Sequence, residues 1–168
     1  MDFSIFDFAM RWTHFIAALI WIGHNYASVV QRPNYRPLRR EELVNGEGEA
    51  FMGLLNREHG TFRYASIVAW VTGVLMLWHR GWLVDALLLK GYLAVIGTGF
   101  WIGTLMLANL WLVLWPNQKK VLGFVPASIE QRLRSSRLTY LSSRTNTMLS
   151  IPLLFFMAAS SHGTTLFP

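Results

Sequence analysis

The feature that most constrains the fold of this chain is its first long apolar run, from Phe8 to Gln31. As an α-helix these 24 residues would extend about 36 Å, which exceeds the roughly 30 Å hydrocarbon core of a bilayer. The run also carries Arg11, His14 and His24, and ionisable groups at that depth cost free energy unless a partner or a ligand compensates them. We therefore predict a transmembrane helix and look for function at its histidines.

The composition favours a bilayer as the environment of the whole chain. Of its 168 residues 53% are hydrophobic, and eight are tryptophan, which is more apolar surface than one small globular core can bury. Cysteine is absent from the sequence, which excludes disulfides, thiolate-ligated iron–sulfur clusters and covalently attached c-type haem. A metal or a haem in this chain would therefore be held by histidine or oxygen ligands.

Three further apolar runs follow, and we predict an all-α integral membrane protein in which residues 1–168 form a single four-helix transmembrane domain. The predicted spans cover residues 8–31, 61–79, 91–115 and 145–166. Apolar residues recur at helical spacing between residues 126 and 144, which predicts an amphipathic interfacial helix between the third and fourth spans. Pro116 is expected to end the third span.

Arginine and lysine are unequally distributed between the two sides of this arrangement. Most of them lie in the loops that follow spans one and three, whereas the other side carries Arg11, Arg80 and Lys90. The positive-inside rule places the two loops in the cytoplasm and both termini outside, in the periplasm if the membrane is the inner membrane of a bacterium. The formal charge of +6 is thus explained by membrane topology, with the lipid bilayer and not nucleic acid as the expected partner.

Small residues at helical spacing predict close packing of the spans. Gly99 and Gly103 form a GxxxG pattern in the third span, and Gly23 with Ala27 gives a similar spacing in the first. Such positions let helices approach closely, and clearing room for a flat cofactor is the alternative use. Asn109, inside the third span, is expected to bond a neighbouring helix.

The antiparallel spans sort the histidines by depth. His14 lies about six residues into span one from the outer side and His162 about four residues from the outer end of span four, so their depths agree within a few Å. Two neutral imidazoles from different helices can hold the iron of a b-type haem. We predict that His14 and His162 ligate haem iron, and that Arg11 and Arg80 bind its propionates.

A second haem in the inner leaflet is also possible, because His24 lies ten residues beyond His14 on the same helix, which is about 15 Å along its axis. His59, just before span two, is its candidate partner. The alternatives also stay open: a membrane histidine can bond a neighbouring helix, and His59 can be a solvated loop residue. His79 is expected at the membrane interface.

Several motifs along the chain share a family pattern. They are Arg11-Trp12-Thr13-His14, Ile20-Trp21-Ile22-Gly23, Gly48-Glu49-Ala50, Phe62-Arg63, Met106-Leu107-Ala108-Asn109, Pro116-Asn117-Gln118-Lys119-Lys120-Val121 and Arg144-Thr145-Asn146. The chain thereby resembles the membrane domain of the cytochrome-c-linked urate oxidases, or urate hydroxylases. That family joins a multi-helix membrane region to a C-terminal cytochrome c domain and is associated with the oxidation of urate to 5-hydroxyisourate. His14 and His162 fall on its pattern, His59 corresponds loosely, and His24 lies outside it.

Three functional hypotheses follow. The first is an electron-transfer subunit that binds one or two b-type haems within a larger redox complex, with other membrane subunits and cytochrome c as partners. The second is the membrane part of a urate hydroxylase that works with a separate cytochrome c. The third is a cofactor-free accessory subunit of a respiratory or photosynthetic complex. The sequence contains no phosphate-binding loop, HExxH motif or nucleophile elbow, which favours a subunit over a complete enzyme.

Overall fold

The computed structural model describes residues 5–32, 35–56, 58 and 60–161. Helix makes up 82% of the structure, and the described residues contain no strand. The predicted all-α class is therefore confirmed. Two predicted site residues, His59 and His162, lie outside the described residues.

Eight α-helices follow one another within the described ranges. They are α1 (Ile5–Asn25), α2 (Arg40–Asn45), α3 (Glu49–Leu55), α4 (Thr61–His79), α5 (Leu83–Leu87), α6 (Leu93–Ala108), α7 (Trp115–Leu122) and α8 (Ile129–Ser161). A π-helical turn over Tyr26–Val30 extends α1, and a second one over Asn109–Leu114 joins α6 to α7. The long helices α1, α4, α6 and α8 form the body of the protein, with α1 packed along α4 and α6 packed along α8.

Three of the helical segments are long and apolar enough to cross a bilayer. They are Ile5–Val30, Thr61–His79 and Leu93–Leu122, which correspond to the first three predicted spans. The fourth predicted span falls on the second half of α8 and extends past Ser161, the last described residue. The described part of α8 is not among the segments that meet the length and hydropathy needed to span, so the four-span arrangement stays a prediction.

The predicted end of the third span at Pro116 is wrong. The helix continues through this residue to Leu122 and ends at Gly123, whose φ of 81° is left-handed. Pro116 lies in the first turn of α7, directly after the π-helical turn over Asn109–Leu114. A proline lacks the backbone N–H that an inner helical position needs, and the first turn of a helix is where this loss matters least.

The prediction of a separate interfacial helix over residues 126–144 is also wrong. These residues form the first half of α8, which runs without a break from Ile129 to Ser161. Two of its leucines face outward, with Leu138 45% and Leu141 48% exposed, whereas Leu133 packs against the cluster formed by Leu43, Phe51 and Val121. The buried face is polar instead, and its members are Ser135, Ser136, Thr139, Ser142, Asn146, Thr147 and Ser150. Small polar side chains allow close approach to neighbouring helices. The polar face of α8 is therefore the buried one, although the apolar periodicity predicts the opposite face.

Hydrogen bonds between α8 and the segment that ends α6 hold the two helices together. The Nδ2 of Asn109 donates to Oδ1 of Asn146 over 2.8 Å and to the carbonyl of Ser142 over 3.0 Å. The hydroxyl of Ser142 returns a bond to Oδ1 of Asn109 over 2.9 Å. The Nδ2 of Asn146 donates to the carbonyl of Met106 over 3.1 Å. The predicted interhelical role of Asn109 is confirmed.

Gly99 and Gly103 of α6 pack where the sequence predicts, whereas Gly23 and Ala27 do not. A Cβ at Gly99 would lie 3.0 Å from Cε of Met157, and one at Gly103 would lie 3.7 Å from Cδ1 of Leu153. The GxxxG pattern therefore brings α6 against α8. A Cβ at Gly23 would have no neighbour within 4 Å among the described residues, so the close packing predicted for Gly23 and Ala27 is not found within the described chain.

Gly97 of α6 provides a sharp test of this packing. A Cβ there would overlap the carbonyl oxygen of Ala86 in α5 and lie 2.9 Å from its carbonyl carbon, and a backbone group cannot rotate away. We expect Gly97→Ala to lower the free energy of unfolding by about 1–3 kcal/mol, the usual cost of overpacking. Gly23→Ala is the matched control, since it adds the same methyl group to a helix in open space. Thermal unfolding of both variants in detergent measures the difference, and equal midpoints would contradict the packing of α5 against α6.

Candidate functional site

His14 lies where α1 packs against α4. Its Nδ1 is 2.7 Å from the carbonyl oxygen of Ala69 and 3.2 Å from Oγ1 of Thr72. Because a carbonyl oxygen only accepts hydrogen bonds, the proton of the neutral ring is on Nδ1, and Nε2 carries the lone pair. No hydrogen-bond partner for Nε2 is present among the described residues. The ring is held on one side and has a ligating atom left on the other.

A glycine on α4 makes room for this ring. A Cβ at Gly73 would lie 3.4 Å from Cε1 and 3.7 Å from Nδ1 of His14, which is already van der Waals contact, so a side chain larger than that of alanine would press on the imidazole. Ala69, one turn earlier, is itself only 3% exposed. The small residues of α4 thus let the imidazole reach a backbone carbonyl of the neighbouring helix. Sequence reasoning identified His14 but not this carbonyl partner, since any residue type supplies one.

The two predicted propionate partners, Arg11 and Arg80, both bind Asp7. The Nη2 of Arg80 donates to the two carboxylate oxygens over 2.8 and 3.0 Å, and its Nε donates over 3.1 Å. Arg11 uses its Nε at 2.9 Å. Asp7 therefore ties the start of α1 to the residue that follows α4. His79 lies at this same end, with its ring centroid 4.8 Å from that of Phe6.

His24, the candidate for a second haem, has close neighbours of its own. Its ring stacks on Phe62 with the centroids 3.8 Å apart and the planes 4° apart. Its Nε2 lies 3.3 Å from Oγ of Ser28. The structure does not bring His24 and His14 to one site, and the position of His59 lies outside the described residues.

A buried ion pair lies at the opposite end of the bundle from Asp7. Arg63, in the first turn of α4, pairs with Glu58, and their side chains are only 10% and 2% exposed. Gln118 of α7 donates to the same carboxylate, and the guanidinium lies 3.5 Å from the ring centroid of Trp115. Sequence reasoning missed this network. The signal was an arginine inside an apolar span, which requires a carboxylate within reach.

Beside this network is an open cleft of about 980 Å³ between the loop after α1, the helix α3 and α8. Its polar walls include Arg32, Arg36, Arg39, Glu42, Glu49 and Tyr140. Arg36 forms a two-bond pair with Glu42 over 2.7 and 2.9 Å, and this guanidinium lowers the pKa of the Glu42 carboxyl to about 2. The charge of Arg36 is therefore neutralised within the chain.

The described residues contain no group of three histidine or acidic side chains that could hold a metal ion. A haem with two axial imidazoles does not need such a group, because it draws on two histidines. Of the predicted pair, His14 fits an axial ligand by its tautomer and its free Nε2. The partner, His162, lies outside the described residues.

These observations define an all-helical protein with three helices long and apolar enough to cross a membrane, and with a histidine inside the helix pair α1 and α4. The model of the urate oxidase N-terminal family matches residues 53–167, which is more than half of the chain. The chain therefore belongs to the urate oxidase N-terminal family, and the resemblance to a urate oxidase membrane domain is confirmed. The link to a cytochrome c stays a prediction. Comparisons with curated proteins and with solved structures give no significant match.

The buried ion pair predicts an asymmetric response to mutation. Glu58→Gln should lower the free energy of unfolding by about 3–5 kcal/mol, because it leaves the Arg63 guanidinium buried without a counter-charge. The double variant Glu58→Gln with Arg63→Met should regain most of that loss. Glu130→Gln is the matched control, since it removes the partner of Arg40 in a pair that is 60% and 66% exposed.

Denaturant unfolding of the purified protein in detergent measures all three variants. An exposed pair contributes about 0–1 kcal/mol, so the control should stay close to the parent protein. A cost for Glu58→Gln no larger than that of Glu130→Gln would contradict the burial of this pair.

Proposed function

We propose that this protein is a membrane-embedded electron-transfer subunit that binds b-type haem through Nε2 of His14, with His162 as the second axial ligand. The observation that supports the proposal is the hydrogen bond from Nδ1 of His14 to the carbonyl of Ala69. Histidines that ligate metals in proteins typically donate their other ring N–H to such an acceptor, which fixes the tautomer and raises the basicity of the ligating nitrogen.

The depth of the described helices supports the choice of His162. Met157 packs against the apolar core that contains Ala17 and Leu153. His14 precedes Ala17 by three residues, about 5 Å along α1. Because α1 and α8 are antiparallel, we expect the chain beyond Met157 to continue toward the membrane surface on which His14 lies. We therefore propose that His162, five residues after Met157 in the sequence, lies in the same leaflet as His14.

Each residue of this site has a role that its contacts support. Ala69 orients the ring of His14, and Gly73 leaves room for it. Arg11 engages Asp7 only through Nε, and its two Nη groups stay available for a propionate. A bound haem supplies one-electron transfer, with a potential set by its ligands and surroundings. A second haem at His24 would require that ring to leave Phe62 and Ser28, so we propose one haem per chain.

We place the protein in the bacterial inner membrane with both termini in the periplasm. The three apolar helices and the excess of arginine and lysine in the loops after α1 and α7 support this orientation. The haem would then lie near the periplasmic surface, where a cytochrome c can approach it. Other membrane subunits of a redox complex are the expected partners within the bilayer.

A reduced-minus-oxidised spectrum of the purified protein tests the haem proposal. We expect a b-type α band near ~560 nm, as is general for low-spin six-coordinate haem of this kind. His14→Ala and His162→Ala should each abolish the band, whereas His79→Ala, the matched control at the same end of the bundle, should retain it. A protein without the band would be a cofactor-free accessory subunit, and a band unchanged by His14→Ala would contradict the assigned ligand.

The family match favours a second candidate function, the membrane part of a urate hydroxylase that works with a separate cytochrome c. This function predicts that the purified protein in lipid discs reduces added ferricytochrome c when urate is supplied. The expected rate with urate is well above the rate without it, and His14→Ala should remove the difference. If protein that carries the b-type band gives equal rates with and without urate, the urate hydroxylase function is contradicted and the electron-transfer function stands.

A further inference from the structure

A small polar cavity of about 30 Å³ lies between α1, α4, α7 and α8, on the side of the buried ion pair. Two side chains in its wall, Asn25 and Thr139, are only 6% and 4% exposed. Their Nδ2 and Oγ1 atoms have no hydrogen-bond partner among the described residues. Buried donors of this kind are nearly always satisfied in folded proteins, so two of them in one cavity wall require an acceptor, which is either a water molecule or an atom of a larger ligand.

The cavity adjoins the large cleft. Tyr35, Leu54 and Thr139 line both, so a ligand in the cleft lies next to the wall that carries the unpaired hydroxyl of Thr139. A cavity of this size holds roughly one or two atoms of a ligand, comparable to a water molecule. The cleft itself, at about 980 Å³, has the volume of a small-molecule site. The body of a ligand would therefore lie in the cleft and one of its acceptor atoms in the cavity.

The charge of the cleft favours an anion. Among the described residues, three arginines and two glutamates line it, and the pair of Arg36 with Glu42 cancels one charge of each sign. The remaining charged residues are Arg32, Arg39 and Glu49, and their charges sum to one net positive charge. Arginine guanidinium groups suit carboxylate and other planar oxyanions.

We propose that the cleft binds a small organic anion whose charge lies between Arg32 and Arg39 and whose carbonyl oxygen accepts hydrogen bonds from Asn25 and Thr139. The site lies at the opposite end of the bundle from His14. Urate is the probe, because at neutral pH it is a planar monoanion with carbonyl oxygens. This choice rests on the second candidate function, and the site itself rests on the contacts above.

Calorimetric titration of urate into the purified protein in discs of neutral lipid tests the proposal. We expect saturable binding that Thr139→Val weakens by about tenfold, the ratio that corresponds to one hydrogen bond. Arg32→Gln should also weaken binding several-fold. Thr147→Val is the matched control, because Thr147 is buried on the same helix while its hydroxyl bonds the carbonyl of Ser143 over 3.0 Å and lies outside the cavity wall.

A second measurement separates binding from folding. Without urate, Thr139→Val should raise the midpoint of thermal unfolding, because it replaces an unsatisfied buried hydroxyl by a methyl group of similar size. With saturating urate, the same variant should gain a smaller increase in midpoint than the parent protein. A purely structural role for Thr139 would lower the midpoint and leave the urate-dependent increase unchanged.

The remaining outcomes are also decisive. Absence of urate binding, or equal affinity of Thr139→Val and the parent protein, would overturn the proposal. Binding that disappears in discs containing phosphatidylglycerol would assign the cleft to a lipid headgroup and overturn the soluble anion. The titration does not depend on haem. If urate binds but the b-type band is missing, only the haem proposal is contradicted. If the band is present but urate does not bind, only the proposed anion site is contradicted.

Discussion

The buried ion pair of Arg63 with Glu58 fixes one end of the helix bundle, and much of the structure follows from it. A charged side chain inside an apolar bundle is tolerated only with a partner, and here the partner precedes α4 by a few residues. Gln118 and Trp115 bring α7 to the same place, which requires the third apolar helix to continue past Pro116. At the other end, Asp7 joins α1 to Arg80 by the same principle. The Asp7 bridge at one end and the stacking of His24 on Phe62 at the other keep α1 aligned with α4, and this alignment brings His14 to the carbonyl of Ala69.

Most polar groups between these anchors satisfy one another. Asn109, Ser142 and Asn146 form a closed set of bonds between two helices. Against this background a few atoms stand out that have no hydrogen-bond partner among the described residues. They include Nε2 of His14, Nδ2 of Asn25 and Oγ1 of Thr139, besides Trp21 Nε1 and Arg132 Nε. Those of His14, Asn25 and Thr139 belong to the two candidate sites, one near each end of the bundle. The function proposed for each place follows from the chemistry of its atoms: a lone pair suits a metal, and unpaired N–H and O–H groups suit an acceptor.

The sequence was sufficient for the helical class and for the position of the apolar helices, because hydropathy over about twenty residues is a property of composition alone. The second span was predicted at the bounds that α4 has, Thr61 to His79. The sequence was not sufficient to predict the packing of α8, whose buried face is made of serine, threonine and asparagine. There the packing partner decides which face is buried, and Leu138 and Leu141, which the apolar periodicity places on the buried face, are exposed. The π-helical turn before Pro116 was missed for a related reason, since it depends on how α6 and α7 pack.

For the candidate sites, too, the sequence shows some features and only the structure shows the others. His14 is visible in the sequence because an ionisable residue in an apolar run is unusual. Its bond to the backbone of Ala69 is invisible there, and so is the unpaired state of Asn25 and Thr139, since both depend on which helices are neighbours. The family match covers residues 53–167, a range that does not contain His14, so the contacts of His14 are evidence independent of the family match.

The stoichiometry and ligation of haem in the purified protein test this account most directly. A pyridine haemochrome assay should give one haem b per chain, and electron paramagnetic resonance of the oxidised protein should show a low-spin ferric iron with two imidazole ligands. Replacing Thr72 and Ala69 should leave that low-spin signal unchanged, because the backbone carbonyl of residue 69 that bonds His14 stays in place. Protein that is folded and monodisperse but contains no haem, or whose iron carries a ligand other than histidine, would contradict the central claim that the lone pair of His14 is kept for a metal.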